Sequence, residues 1–196
     1  KHERDHFTRA EWDRLLTKVI DLSGGAAQQD LTPKQYSELH SGFRRIDSQR
    51  NWVDLYAALC LMWFFHLRIQ DLPRLKAEWF RAGENKDQVL CRLLETKGNR
   101  DIQQTENARA DGFKFWKRLS KRKPEGYLVF PDKERPNGDP VRSSVLPDIR
   151  HLFKHLKEVV DPPITRRGVA PSQVRHTAFR LIVEENFEYY QSPRGL

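Results

Sequence analysis

Residues 52–65 are apolar on nearly every side, and a helix of that kind offers no face to water. It has to be wrapped by other elements, so the rest of the chain is expected to pack around it. The wrappers are legible as amphipathic segments. Thr8 with Glu11 forms a capping-box signature, and Trp12, Leu15, Leu16, Val19 and Ile20 follow at helical spacing up to a Gly24-Gly25 stop. Thr32, Pro33 and Gln35 repeat the start signal. Tyr36, Leu39, Phe43 and Ile46 then predict the apolar face of a second helix, with Arg44 and Arg45 near the end where its dipole favours cations. Residues 108–119 read as helix through Phe113, Trp116 and Leu119, and residues 145–160 through Ile149, Leu152, Phe153, Leu156, Val159 and Val160, until Pro162 and Pro163 stop them.

Two stretches break the helical period. Residues 89–95 are β-branched and leucine-rich, TKGNR at 96–100 carries turn chemistry at Gly98 and Asn99, and residues 101–104 can return as a partner strand. Lys97 falls at the tip of that hairpin. Residues 127–130 predict a further short strand before a Pro/Gly/Asp-rich connection. The expected fold class is mainly α with a small β-hairpin or sheet, an α+β arrangement in one domain over residues 1–196.

Charge narrows the partners. Thirty-five Lys and Arg against 27 Asp and Glu leave a net charge of +8 and a pI near 9.6, which favours a polyanion, either nucleic acid or an anionic surface. The apolar run is too short to span a bilayer, so no membrane partner is expected. Cys60 and Cys91 have no metal-ligand neighbours at close spacing and fit a reduced, cytoplasmic protein. His151 and His155 have zinc-like i, i+4 spacing, but position 152 is Leu152 rather than a glutamate, and surface histidines are the expected reading.

Three stretches carry candidate chemistry. In LRIQDLPRLK, Arg68 leaves the apolar run with core on both sides, and Asp71 with Pro73 predicts the next helix start. In PSQVRHTAFR, Pro171 suits the first turn of a helix whose core stripe is Val174, Ala178, Leu181 and Ile182. Arg175 lies beside that stripe, and Ser172, one turn earlier, shares its edge. That outlines an anion site; an exposed helix with basic decoration is the plainer alternative. The third is the basic run Lys117, Arg118, Lys121, Arg122 and Lys123, with Arg166 and Arg167 in the loop before the last helix. Such residues form either a solvated face or a surface along a phosphate backbone.

Taken in order and spacing, LRIQDLPRLK, the TKGNR hairpin and SQVRHT resemble the catalytic domain of the tyrosine recombinase (phage integrase) family over nearly the whole chain. Arg68 with Asp71 matches that family's first arginine motif, LR-x-x-(E/D)-L. Lys97, Gly98, Asn99 and Arg100 match its hairpin lysine motif, and Arg175 with His176 matches the later half of H-x-x-R-H. The resemblance implies site-specific recombination or integration of phage and other mobile DNA. In that reaction a tyrosine attacks a phosphodiester and forms a covalent phosphotyrosine intermediate. Arg68 and Arg175 would hold the non-bridging oxygens and Lys97 would protonate the departing deoxyribose oxygen. No metal or cofactor is implied. The implied partners are double-stranded DNA and other protomers on it, at the nucleoid, although an isolated fragment can be monomeric.

The departures are specific. Ser172 stands where the family most often has histidine, a variable position there, and cannot act as a cationic donor. His176 points roughly 100° away from Arg175 on a helix, which suits helix packing or a bond to the backbone. Tyr189 and Tyr190 follow Arg175 on the same predicted helix, sooner than the family's nucleophile. Tyr190 is the candidate within this chain, while the leading expectation is a fragment whose N-terminal DNA-clamping domain and nucleophile segment lie outside it. Ser172 keeps a second reading open, a non-catalytic DNA-binding relic acting as a regulator. A basic interaction domain ranks third, because it leaves the hairpin unexplained.

Overall fold

The computed structural model describes residues 6–84, 88–93, 102–106, 110–130, 144–166 and 168–191. The organising helix is α3 (Gln49–Phe64), in which every residue from Trp52 to Met62 is buried. Ser48 caps it by accepting from the Asn51 amide. Around it pack α1 (Arg9–Leu22), α4 (Ala110–Arg122), α5 (Val145–Val159) and α6 (Gln173–Gln191). One contiguous apolar core joins these helices. The capping box at Thr8 and Glu11 is present, and α1 stops where Gly24 and Gly25 take left-handed backbone at φ 61° and 78°.

A small antiparallel sheet lies beside the helices, in the order β1 (Phe80–Ala82), β2 (Val89–Leu93) and β3 (Ile102–Glu106). Leu93 pairs with Ile102, so β2 and β3 form the predicted hairpin pair. The protein is therefore mainly helical with a small sheet. β1 has no signature in the sequence: FRA is too short to show a period of two, and only Phe80 is buried.

Three expectations are corrected. The second helix, α2, is only Pro33–Ser37. His40, Ser41 and Gly42 are weak helix formers, and the Arg50 guanidinium bonds the carbonyls of Ser37 and Leu39. The apolar face planned for that helix is thus split, with Leu39 and Ile46 packed against the core while Phe43 is fully exposed at 105%. Instead of ending a helix, Arg45 opens a single turn of 3-10 helix and pairs with Asp148 at 2.6 Å. Residues 127–130 make one antiparallel bridge, Lys76 to Tyr127, rather than a strand. The positive φ of Phe130 turns the chain away from extension. Past Asp71 the predicted helix is a single turn of 3-10 helix, Leu72–Arg74.

The centre of the fold also holds charge. Asp54, on α3, accepts from the Tyr36 hydroxyl at 2.6 Å and from the Lys123 ammonium at 2.8 Å, and all three side chains are buried. Lys123 also sits 4.5 Å from the centre of the Tyr36 ring. Burial first, then the Asp54 charge and its hydrogen bond, hold the Tyr36 phenol well above its ordinary range. Burial raises the Tyr56 phenol as well, and pushes the Cys60 thiol up to about 12.

These shifts fix an alkaline limit. A raised folded-state pKa gives stability that is fully present below the unfolded value and lost as pH rises through the folded one. For Cys60 the loss starts near the free-thiol value of about 8.5, and for the tyrosines near about 10. Lys157, its pKa lowered by burial and then by Arg166, and Arg122, lowered by burial, oppose them, two groups against three. Urea midpoints are expected to fall between about pH 8.5 and 11, and to fall less steeply in Tyr36→Phe. A midpoint flat across that window would refute the assignment.

Candidate functional site

α3 ends at Phe65, whose amide still bonds the Leu61 carbonyl at 3.1 Å. His66 then turns the chain with φ 50°, a left-handed conformation uncommon outside glycine. Beyond this turn burial alternates along the chain, with Leu67 buried, Arg68 exposed and Ile69 buried. The Arg68 carbonyl accepts from the Asp71 amide at 2.9 Å, closing the turn. Two core residues thus pin the backbone on either side of an outward guanidinium. This is how a flexible side chain gains a fixed root without losing access to solvent.

The second arginine is held from its own side. Pro171 and Ser172 form the turn that enters α6, with the Gln173 amide on the Ala170 carbonyl and the Val174 amide on the Pro171 carbonyl. Val174, Thr177 and Ala178 face inward, and Arg175 is half-buried beside them. Lys157 on α5 fixes the incoming loop by donating to the carbonyls of Arg166 at 3.0 Å and Val169 at 2.9 Å. Arg166 in turn bonds the His6 carbonyl and pairs with Glu11. The buried Thr177 hydroxyl accepts from the Phe7 amide at 3.2 Å. The entry to α1 and the helix bearing Arg175 are therefore fastened at two points.

One ring contact and one shared cavity relate the arginine-bearing elements. The His66 ring meets Phe179 edge-on at 6.3 Å between centroids. Ile69 and Ser172 line the same cavity. Phe179 stands one turn after Arg175 on the same side of α6, and Ser172 lies in the turn that leads into that helix. The loop that carries Arg68 is consequently laid along the helix side that carries Arg175. Neither guanidinium has an ion-pair or hydrogen-bond partner among the described residues. Two unpaired guanidinium groups on adjoining elements suit an oxyanion with several acceptor oxygens.

The remaining candidates divide. Lys97 lies in the connection between β2 and β3, outside the described residues, as does Arg167. His176 is exposed. Tyr190 belongs to α6 itself, and a rise of about 1.5 Å per residue sets it roughly 22 Å along the axis from Arg175. On α4, Lys117 and Lys121 are exposed and share a face, Lys117 5.6 Å from the centre of the Phe113 ring and Lys121 3.9 Å from Asp30. Arg118 is half-buried.

Arg122 does not belong to that surface. It is 3% exposed, and its guanidinium donates to the carbonyls of Ala26, Ala27 and Gln29 at 3.4, 3.1 and 3.3 Å. A basic run gives no sign of this in sequence, because the phase of the helix decides which of its cations turn inward. Arg166 pairs with Glu11, bonds the His6 carbonyl and keeps an exposed side chain. Arg150 and Lys154 join the site without any motif to announce them. They follow the i, i+4 spacing of an ordinary polar helix face, and only the tertiary fold sets them beside Ser172. No family model, curated protein or solved structure matches this chain. No helix among the described residues is long and apolar enough to cross a membrane.

Proposed function

We propose that this chain is the catalytic domain of a tyrosine-type site-specific recombinase or integrase, with that family's catalytic-domain fold over residues 1–196. The observation that carries the reading is the placement of the Arg68 loop along the Arg175 side of α6. On this reading Arg68 and Arg175 clamp the non-bridging oxygens of a DNA phosphate and stabilise the charge that grows on them during transfer. A tyrosine oxygen bonds to phosphorus, the bond to the deoxyribose oxygen breaks, and Lys97 gives that oxygen its proton. Ser172 supplies a neutral hydroxyl donor where a histidine would supply a charged one. The nucleophile is a tyrosine outside the described residues, with Tyr190 the candidate within this chain. Double-stranded DNA and further protomers bound to it are the partners, and the nucleoid is the place of action.

The deciding experiment incubates the full reading frame with nicked suicide substrates built from its own flanking junctions. A covalent protein–DNA adduct that a single Tyr→Phe change removes is the expected result. Intact DNA binding without any adduct favours the second reading, a DNA-binding relic acting as a regulator, for which Ser172 is the supporting observation.

The basic residues give a separate test. Arg122→Met is expected to cost about 1–3 kcal/mol in urea unfolding, because buried carbonyls lose their donor, and to leave the salt dependence of DNA binding unchanged. Lys117→Ala and Lys121→Ala are expected to do the reverse. Each leaves stability within about 0.5 kcal/mol and flattens the plot of log affinity against log salt by about one phosphate contact. Equal salt slopes for all three variants would remove α4 from the interface.

A further inference from the structure

Beside the two arginines lies a cavity of about 370 Å³, lined by Ile69 from the Arg68 loop, by α5 and by the turn that enters α6. We propose that it receives a single nucleotide of a DNA strand, drawn out of the base stack, with a phosphate of that nucleotide on Arg150 and Lys154. The inference rests on the recombinase reading of the arginine pair and extends it to a site that none of the motif residues predicts.

The walls differ in kind. Ile69, Phe153 and Val169 present an apolar floor, while Arg150, Lys154 and Ser172 supply polar groups at the edge. A free inorganic anion gains nothing from such a floor, and an apolar ligand gains nothing from two cations. A ligand with a flat, weakly polar body and an anionic end uses both, and a nucleotide has that shape. The volume falls within the about 300–1,000 Å³ of ordinary small-ligand sites, which is room for a base with its sugar and far too little for a duplex. Arg150 and Lys154 are exposed and have no ion-pair partner among the described residues. Lys157, the third cation on this side of α5, is already held by two carbonyls and serves as wall.

Position selects a strand as the source. Ile69 follows Arg68 directly, and Ser172 lies one turn before Arg175, so the cavity opens beside the place where a phosphate would be clamped. A strand held there brings its neighbouring nucleotide to the cavity mouth. The base must leave the stack to enter, which is least costly where it is mispaired or next to a nick. Shape and charge would thereby add a preference for locally unpaired DNA to whatever sequence the protein reads elsewhere.

The test uses nicked duplexes, each carrying one mispaired 2-aminopurine at a different distance from the nick, alongside free 2-aminopurine deoxyriboside 5′-monophosphate. Binding is followed by anisotropy of a remote dye and extrusion by 2-aminopurine fluorescence. At one register, wild-type protein is expected to raise the fluorescence several-fold. Ala170→Trp, which fills the cavity, and the surface change Lys154→Glu are expected to abolish that rise, both with unchanged circular dichroism. Duplex binding with no rise at any register overturns the proposal, as does a rise that survives both variants. Capture of the free monophosphate by a protein that binds no duplex overturns the strand as the source and the DNA reading with it. Duplex binding with no rise, by contrast, leaves the DNA reading standing.

Discussion

Arg175→Lys is expected to slow covalent adduct formation by about 10²–10³-fold, the cost of removing one preorganised donor from a developing oxyanion, while duplex affinity changes only a few-fold. The asymmetry follows from geometry. Arg175 is half-buried, rooted by Val174, Thr177 and Ala178, and lies on the α6 side against which the Arg68 loop is laid. On the recombinase reading, a guanidinium there would present two parallel donors to two oxygens of one phosphate. Lysine keeps the charge, and so most of the long-range attraction to DNA, but offers a single mobile ammonium in place of the fork. Arg68→Lys should behave alike, and the double variant should be little worse than either single, because groups that act as one clamp fail together. The checks are the single-turnover rate of adduct formation on a suicide substrate and the dissociation constant at fixed salt. A wild-type rate in Arg175→Lys removes it from the chemistry. A fall in affinity as large as the fall in rate turns the clamp into an ordinary phosphate contact, as the relic reading requires.

The legible parts of this fold were those in which local rules and the global result agree. The capping boxes at Thr8 and Thr32 are both present, α3 is buried through nearly all of the stretch that is apolar all round, and the Leu93–Ile102 pairing lies where the hairpin pattern puts it. Sequence failed where a distant partner decided the outcome. The helix begun at Pro33 has a good start and a plausible apolar face, yet Arg50 takes its carbonyls and leaves Phe43 in solvent. Pattern also treats every cation in a basic run as surface, and so misplaced Arg122. For the site, order and spacing proposed Arg68 and Arg175, and the fold sets their elements against each other. Arg150 and Lys154 had no local signal at all, since a cavity between α5 and the loop before α6 exists only once both are packed.

Asp54 is the clearest case of a residue whose role follows from the packed structure alone, and its replacement carries the largest expected loss of stability. In sequence it is a single acid inside an apolar run, and Lys123 is the last cation of a basic one. Packed, they are 1% and 7% exposed and 2.8 Å apart. Taking both charges out of water is costly, so their attraction mostly offsets desolvation and adds little net stability. Removing one partner is a different matter. Asp54→Leu leaves the Lys123 ammonium buried without its counter-charge and the Tyr36 hydroxyl without its acceptor, and is expected to cost about 3–5 kcal/mol. Lys123→Met should cost a comparable amount by stranding the carboxylate, while Tyr36→Phe, which deletes one hydrogen bond, should cost about 1–2 kcal/mol. Asp54→Leu combined with Lys123→Met should be more stable than either single variant, because no isolated charge remains. Urea denaturation of wild type, the two single variants and the double variant closes a double-mutant cycle on the pair. A positive recovery would show that the pair's value lies in mutual neutralisation, and that its contribution is the fixed position of the α4 end and α2 against α3. Losses that simply add would mean that each side chain is stabilised by its own surroundings, and the network would then be three separate contacts.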